Sequence, residues 1–141
     1  YDSQALYRVS LEQLKIEITE RTVSEDLKGA QSIINQLHNK GVGFYMDDFG
    51  VGYSNFAGMM QMPFESIKLD MSLIKGIHSS GGYDMVWHLV QMMHNAGFLV
   101  VAEGVENEDE VMKVKELGID RIQGYYYAKP MNGDTLTEFL K

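Results

Sequence analysis

The sequence predicts an α/β fold built on a parallel sheet. Short apolar strand-like runs alternate with helix-like segments along the whole chain. The run over residues 98–102 is apolar at every position, as in a strand covered on both faces. No linker-like, repetitive or low-complexity stretch interrupts this rhythm. Strands followed by helices imply right-handed βαβ units. Such units close either as an open doubly wound sheet or as an arc of a β/α barrel, and periodicity does not choose between them.

The elements follow in order. Residues 14–18 alternate as a short strand. Ser24 is placed to cap the next helix, with Glu25 and Asp26 in its first turn, where the helix dipole favours anions. Leu27, Ala30, Ile33, Ile34 and Leu37 form one helical face, and Gly41 stands where a C′ residue belongs. Residues 42–46 make the second strand, which ends at Asp47-Asp48-Phe49-Gly50. A loop and a short helix over 53–60 come next, and Pro63 precedes a third strand at 66–69. Met85, Val86, Leu89, Val90, Met93 and Ala96 give the apolar face of a longer helix closed by Gly97. After the strand at 98–102, Asn107 caps a helix, and Glu110 three residues on gives a capping-box pattern. Val111, Val114 and Leu117 face inward, Gly118 ends the helix, 119–123 is a fifth strand and 134–140 a last helix.

Composition narrows the function. The 141 residues suffice for one domain with a sizeable core, and shares of 45% hydrophobic and 23% charged residues exclude a disordered chain. No apolar run approaches the roughly 18 residues of a membrane span, so no direct membrane contact is expected. No charged segment leading into an apolar one opens the chain, so no signal peptide is expected. The absence of cysteine excludes disulfides and thiolate metal sites and fits a cytoplasmic location. A net charge of −8 argues against a nucleic-acid binder, which needs a basic stripe. A small phosphate ligand stays open, because carboxylates that hold divalent cations invert the local potential. A start at Tyr1, close to the first strand, leads to the expectation of a fragment of something longer.

Parallel α/β proteins carry their sites at the carboxyl ends of the strands. The five strand ends offer Glu17 and Glu20, then Asp47 and Asp48, then Lys68 and Asp70, then Glu103 and Glu106, and finally Gln123. Singly, each has an ordinary explanation: an Asp that forms a turn, a Glu in solvent, a lysine that snorkels. Five strands converging on polar ends is harder to obtain from solvation. Carboxylates without Cys or paired His select oxygen-preferring ions, Mg²⁺, Mn²⁺ or Ca²⁺. Adjacent aspartates suit two metals roughly 3.5–4 Å apart. A nearby lysine can orient a water or neutralise phosphate charge. Such a set serves metal-assisted hydrolysis of a phosphate ester. Glycoside hydrolysis also uses two carboxylates on a barrel but needs neither the lysine nor the adjacent pair.

Other features give weaker signals. The glycine-rich loop from Asp48 to Asn55 permits close ligand approach, but an ordinary tight turn explains it equally well. Tyr125-Tyr126-Tyr127 can stack on a base, although packing is the commoner use. The ten methionines read as core filler, and His38, His78, His88 and His94 receive no role.

Five motifs in register resemble the EAL-domain cyclic-di-GMP phosphodiesterases: Ile16-Glu17-Ile18-Thr19-Glu20, Asp47-Asp48-Phe49-Gly50-Val51-Gly52-Tyr53-Ser54, Pro63-Phe64-Glu65-Ser66-Ile67-Lys68-Leu69-Asp70, Val101-Ala102-Glu103-Gly104-Val105-Glu106 and Gln123-Gly124-Tyr125-Tyr126-Tyr127-Ala128-Lys129-Pro130. The resemblance implies a partial TIM-type (β/α) barrel, about five βα units of the eight. It also implies hydrolysis of cyclic di-GMP to linear pGpG with Mg²⁺ or Mn²⁺. By position Glu17, Asp47 and Asp48 resemble metal ligands, with Asp47 the bridge. Lys68 resembles the lysine that positions the attacking water, and Glu103 the general base. Glu20 and Glu106 resemble residues that hold the loop after the Asp pair and its neighbours. Asp70 and Gln123 belong with the residues near substrate.

The sequence also departs from the family. The signature Glu-Ala-Leu segment and an Asn-containing strand are absent, so residues 1–141 read as the C-terminal portion of the domain, inactive alone. Val51 replaces the usual threonine and Asn55 the usual serine, and loss of that hydroxyl is expected to weaken how the loop couples substrate binding or dimerisation to the metal site. A homodimer or association with the missing half of the barrel is expected, because an arc leaves two sheet edges unpaired. A degenerate domain that binds cyclic di-GMP without cutting it, or a partner-binding scaffold, are the alternatives.

Overall fold

The computed structural model describes residues 10–52 and 56–141. Five strands form one sheet: β1 (Lys15–Thr19), β2 (Gly43–Phe49), β3 (Phe64–Leu69), β4 (Leu99–Glu103) and β5 (Arg121–Gln123). All pairings are parallel and the spatial order is that of the chain. This order decides the closure. A doubly wound sheet reverses its order at a switch point, whereas a strictly sequential sheet with right-handed crossovers gathers its helices on one face and curls as a barrel does.

The helices are α1 (Glu20–Glu25), α2 (Leu27–His38), α3 (Phe56–Met59), α4 (Met71–Gly76), α5 (Ser80–Asn95), α6 (Glu108–Glu116) and α7 (Gly133–Phe139). The first is a correction to the expected boundary. Ser24 caps nothing: it lies inside α1, and its hydroxyl donates to the Glu20 carbonyl at 2.9 Å. Thr19 caps α1, and Asp26 caps α2 by accepting from the Gly29 amide at 3.0 Å. Asp26 supplies its own acceptor, so the chain breaks there into two helices. Asn107 caps α6 as expected, and Gly41, Gly97 and Gly118 take positive φ after their helices. The short helix expected over 53–60 falls partly outside the described residues, since Tyr53, Ser54 and Asn55 are not among them.

Register sorts the side chains into two faces. Ile16, Phe44, Phe64, Met46, Ile67, Leu69, Val100 and Ala102 pair across the sheet on the helix-covered face. There they meet Ile34, Val86, Val90, Met93, Val114 and Leu117, and each fully buried aliphatic side chain contributes about 1.5–3 kcal/mol. The opposite face, the inside of the arc, is polar: Glu17 beside Tyr45 beside Ser66, Lys68 beside Val101 beside Arg121, and Glu103 beside Gln123. Among the described residues β1 and β5 each have a sheet neighbour on one side only. The methionines are not all core filler. Met46, Met59, Met62 and Met93 are buried, but Met85, Met92 and Met112 are exposed on helix faces turned away from the sheet.

Candidate functional site

A β-bulge builds the centre of the site. Met46 pairs with Ile67 and Phe49 with Leu69, so Asp47 and Asp48 together oppose the single residue Lys68. In a regular strand adjacent side chains point to opposite faces, and one of the two carboxylates would enter the core. Here Asp48 takes φ 54°, a left-handed conformation uncommon outside glycine and Asn/Asp. The strand turns there, and carboxylate oxygens of Asp47, Asp48 and Glu103 come within 4.8 Å of one another.

Lys68 ties the cluster together. Its side chain is buried, and its ammonium lies 2.8 Å from Glu103 Oε1, 2.9 Å from Asp47 Oδ1 and 3.0 Å from Glu17 Oε2. Glu17 thus joins from β1 across the lysine. Burial pushes the Lys68 amine down, but bonds to Glu103, Asp47 and Glu17 outweigh it and leave the pKa raised. Burial raises the Glu103 carboxyl above the ordinary range. Lys68 offsets part of that, and the charges of Asp47 and Asp48 add to it.

This donor set fits divalent cations. One ammonium pairs with three carboxylates, and Asp48 adds a fourth beside them, so negative charge exceeds positive charge in this cluster among the described residues. Asp47 Oδ1 is buried and, apart from the ion pair with Lys68, makes no hydrogen bond. All-oxygen donors with excess negative charge suit oxygen-preferring divalent ions.

The rim loops interlock around this centre. Glu20 is 1% exposed, and its Oε2 accepts from the Gly50 amide at 3.0 Å, fixing the loop after Asp48. The Asp70 amide donates to the Phe49 carbonyl at 3.1 Å, while the Asp70 carboxylate caps α4 through Ser72 N at 2.8 Å. Gly50 (φ 105°) and Gly104 (φ 67°) occupy the left-handed region, and a Cβ on either would lie 2.5 Å from Leu73 or Met71 of α4. A Cβ on Gly124 would collide with the Val105 carbonyl. That approach lets Val105 N donate to Gln123 O at 3.4 Å and Tyr126 N to Val105 O at 3.1 Å.

Asp48, Asp70, Glu103, Glu106, Gln123 and Tyr125 line a cavity of about 1080 Å³ beside the cluster. Lys129 lies over the Tyr125 ring at 5.6 Å. Glu106 pairs with Lys75 of α4 at 3.1 Å. One expectation changes here. The tyrosine triplet is not packed away: Tyr125, Tyr126 and Tyr127 are all exposed, following a three-residue strand that leaves them on the rim. Glu110 and Lys75 drew no attention as site residues in the sequence. A capping-box Glu reads as helix-end chemistry, and nothing in the sequence places Lys75 beside it. Val51 is exposed in the loop held by Glu20.

No helix among the described residues is long and apolar enough to cross a membrane. The EAL domain family model matches residues 3–130. The chain is 37% identical over 136 residues to the cyclic di-GMP phosphodiesterase PdeF of Escherichia coli, covering 95% of this chain and 18% of that protein. It is 32% identical over 136 residues to the cyclic di-GMP phosphodiesterase PA2567 of Pseudomonas aeruginosa, covering 96% of this chain and 23% of that one. The chain therefore spans about a fifth of the length of these relatives. Among solved structures, the EAL domain of Mycobacterium smegmatis DcpA matches with a TM-score of 0.86 at 29% identity, over 97% of this chain and 62% of that one. A manganese and cyclic-di-GMP complex of Klebsiella pneumoniae BlrP1 matches with a TM-score of 0.84 at 31% identity, over 92% of this chain and 33% of that one. Sequential parallel strands, an acidic rim around one lysine and a match along nearly the whole chain agree, and the chain belongs to the EAL domain family.

Proposed function

We propose that the intact domain of which residues 1–141 form the C-terminal portion hydrolyses cyclic di-GMP to linear pGpG, using Mg²⁺ or Mn²⁺. The observation that supports this most is Lys68 within 3.0 Å of Glu17, Asp47 and Glu103, with Asp48 brought alongside by the bulge. Glu17, Asp47 and Asp48 would hold the metals. The metals supply Lewis-acid activation of water and of the phosphate.

The residues of the chain do the rest. Lys68 keeps Glu17, Asp47 and Glu103 facing one point and offers its ammonium to the incoming water. Glu103 accepts the proton released as the water oxygen bonds to phosphorus. The bond from phosphorus to the 3′ oxygen breaks, that oxygen takes a proton from solvent and leaves as a hydroxyl, and Glu103 returns its proton to solvent, which gives pGpG with its 5′ phosphate. Glu20 holds the Gly50 loop so that Asp48 keeps its strained backbone. Gln123, Asp70 and Glu106 bound the cavity beside the reacting phosphate, and Tyr125 offers a ring at its rim.

Turnover of cyclic di-GMP by the intact protein, followed by chromatography of pGpG with and without Mg²⁺ or Mn²⁺, tests this. Metal-dependent release of pGpG is expected. Nucleotide binding without cleavage at saturating metal rejects the enzyme in favour of a non-hydrolytic receptor. Absence of both binding and cleavage favours a partner-binding scaffold.

A further inference from the structure

The mechanism leaves unused Lys75 and Glu110, two charged side chains between α4 and α6. Glu110 is 1% exposed, rare for a carboxylate. In a capping box the third helical residue reaches back to the amide of the cap itself. Here Asn107 caps Glu110 N at 3.0 Å, but Glu110 reaches one residue further. Its Oε2 accepts from Glu106 N at 2.7 Å, and its Oε1 accepts from Lys75 Nζ at 3.1 Å. The same Lys75 Nζ lies 3.1 Å from Glu106 Oε2. Glu106 is thus held by both its amide and its carboxylate. A plain helix cap needs neither the burial nor a lysine from another βα unit.

The position of Lys75 gives this arrangement its consequence. It stands on α4, a helix of six residues. Leu73 of α4 packs where Gly50 has no side chain, and Met71 packs where Gly104 has none. One short helix therefore touches the loop after Asp48 and the loop after Glu103. Lys75 and Glu110 join that helix to Glu106, which lines the cavity with Glu103 and Gln123.

We propose that Lys75 and Glu110 are positioning residues for the nucleotide pocket: they hold Glu106 by its amide and its carboxylate and so set the cavity wall next to Glu103. The proposal rests on the cavity being the nucleotide site of the phosphodiesterase.

Lys75→Met and Glu110→Gln in the intact protein test it, with Lys75→Arg as the conservative variant. The loss of a charge-assisted bond is expected to raise KM for cyclic di-GMP roughly tenfold in both, with kcat within about threefold of wild type. Mn²⁺ affinity by calorimetry stays unchanged, and Lys75→Arg restores KM. Amide exchange over residues 103–107 accelerates in both variants, while residues 43–49 exchange as in wild type. Exchange needs no turnover, so it decides the positioning even in a protein that does not cleave the nucleotide. Unchanged exchange over 103–107 overturns the proposal. So does an unchanged KM in variants that merely melt earlier, or a joint loss of kcat and Mn²⁺ affinity.

Discussion

Lys68 holds the cluster by charge, since no other cation lies in contact with Glu17, Asp47 or Glu103 among the described residues. Lys68→Met leaves three carboxylates around an apolar side chain. Turnover is expected to fall at least ~10²-fold. Without metal the melting temperature drops, and added Mn²⁺ raises it more than in wild type, because the ion then carries the charge compensation alone. Calorimetric melting with and without Mn²⁺ checks both points. Glu20 acts through the backbone. Glu20→Ala leaves the Gly50 amide without its acceptor, and about 1–3 kcal/mol of stability is expected to be lost, read by urea unfolding. Turnover falls with it, because that loop anchors the Asp48 turn that precedes it.

Elements meet through glycines and through polar side chains, among them Asp120 behind the sheet. Gly124→Ala drives a methyl into the Val105 carbonyl and separates the loops after β4 and β5. The expected cost is about 1–3 kcal/mol, together with weaker nucleotide binding. A variant as stable as wild type would show that the loops give way freely. On the helix-covered side Asp120 joins β4 to the start of β5. It accepts from Val100 N at 2.8 Å and lies 2.8 Å from His94 Nε2. Burial pushes its carboxyl up, but the Val100 amide and His94 outweigh that and hold it below the ordinary 3.8. The folded state therefore binds fewer protons than the unfolded one. Its stabilisation is fully present above pH 3.8 and is lost as pH falls through the depressed folded value. Asp120→Asn is expected to cost ~1–2 kcal/mol near neutral pH, with the gap to wild type closing below pH 3.8, as measured by urea unfolding across a pH series.

At the scale of the molecule, the sheet has β1 and β5 at its margins, and its inner face is polar. Lys15 and Glu65 pair there at 2.7 Å over Gly43, with Arg121 exposed further along. Those groups suit the interior of a closed barrel better than a free surface. The 141-residue chain on its own is therefore expected to self-associate in light scattering and to release no pGpG at saturating Mn²⁺. A stable, active monomer would show that the five strands alone make a complete site.

The sequence by itself determined the alternation of strands and helices, the polar residue at each strand end and the chemical class of the donor set. Each of these follows from local pattern: apolar period, capping residue, side-chain type. Only the tertiary structure decided the rest, because it depends on pairing between distant segments. Sequential strand order selected the barrel arc over the doubly wound sheet. The bulge opposite Lys68 turned two adjacent aspartates, which a plain strand would send to opposite faces, toward one point. Glu110 read as a helix cap until the fold brought Lys75 to it from another βα unit. A strand's face and a buried carboxylate's partner are set by register, and register is a property of the folded sheet.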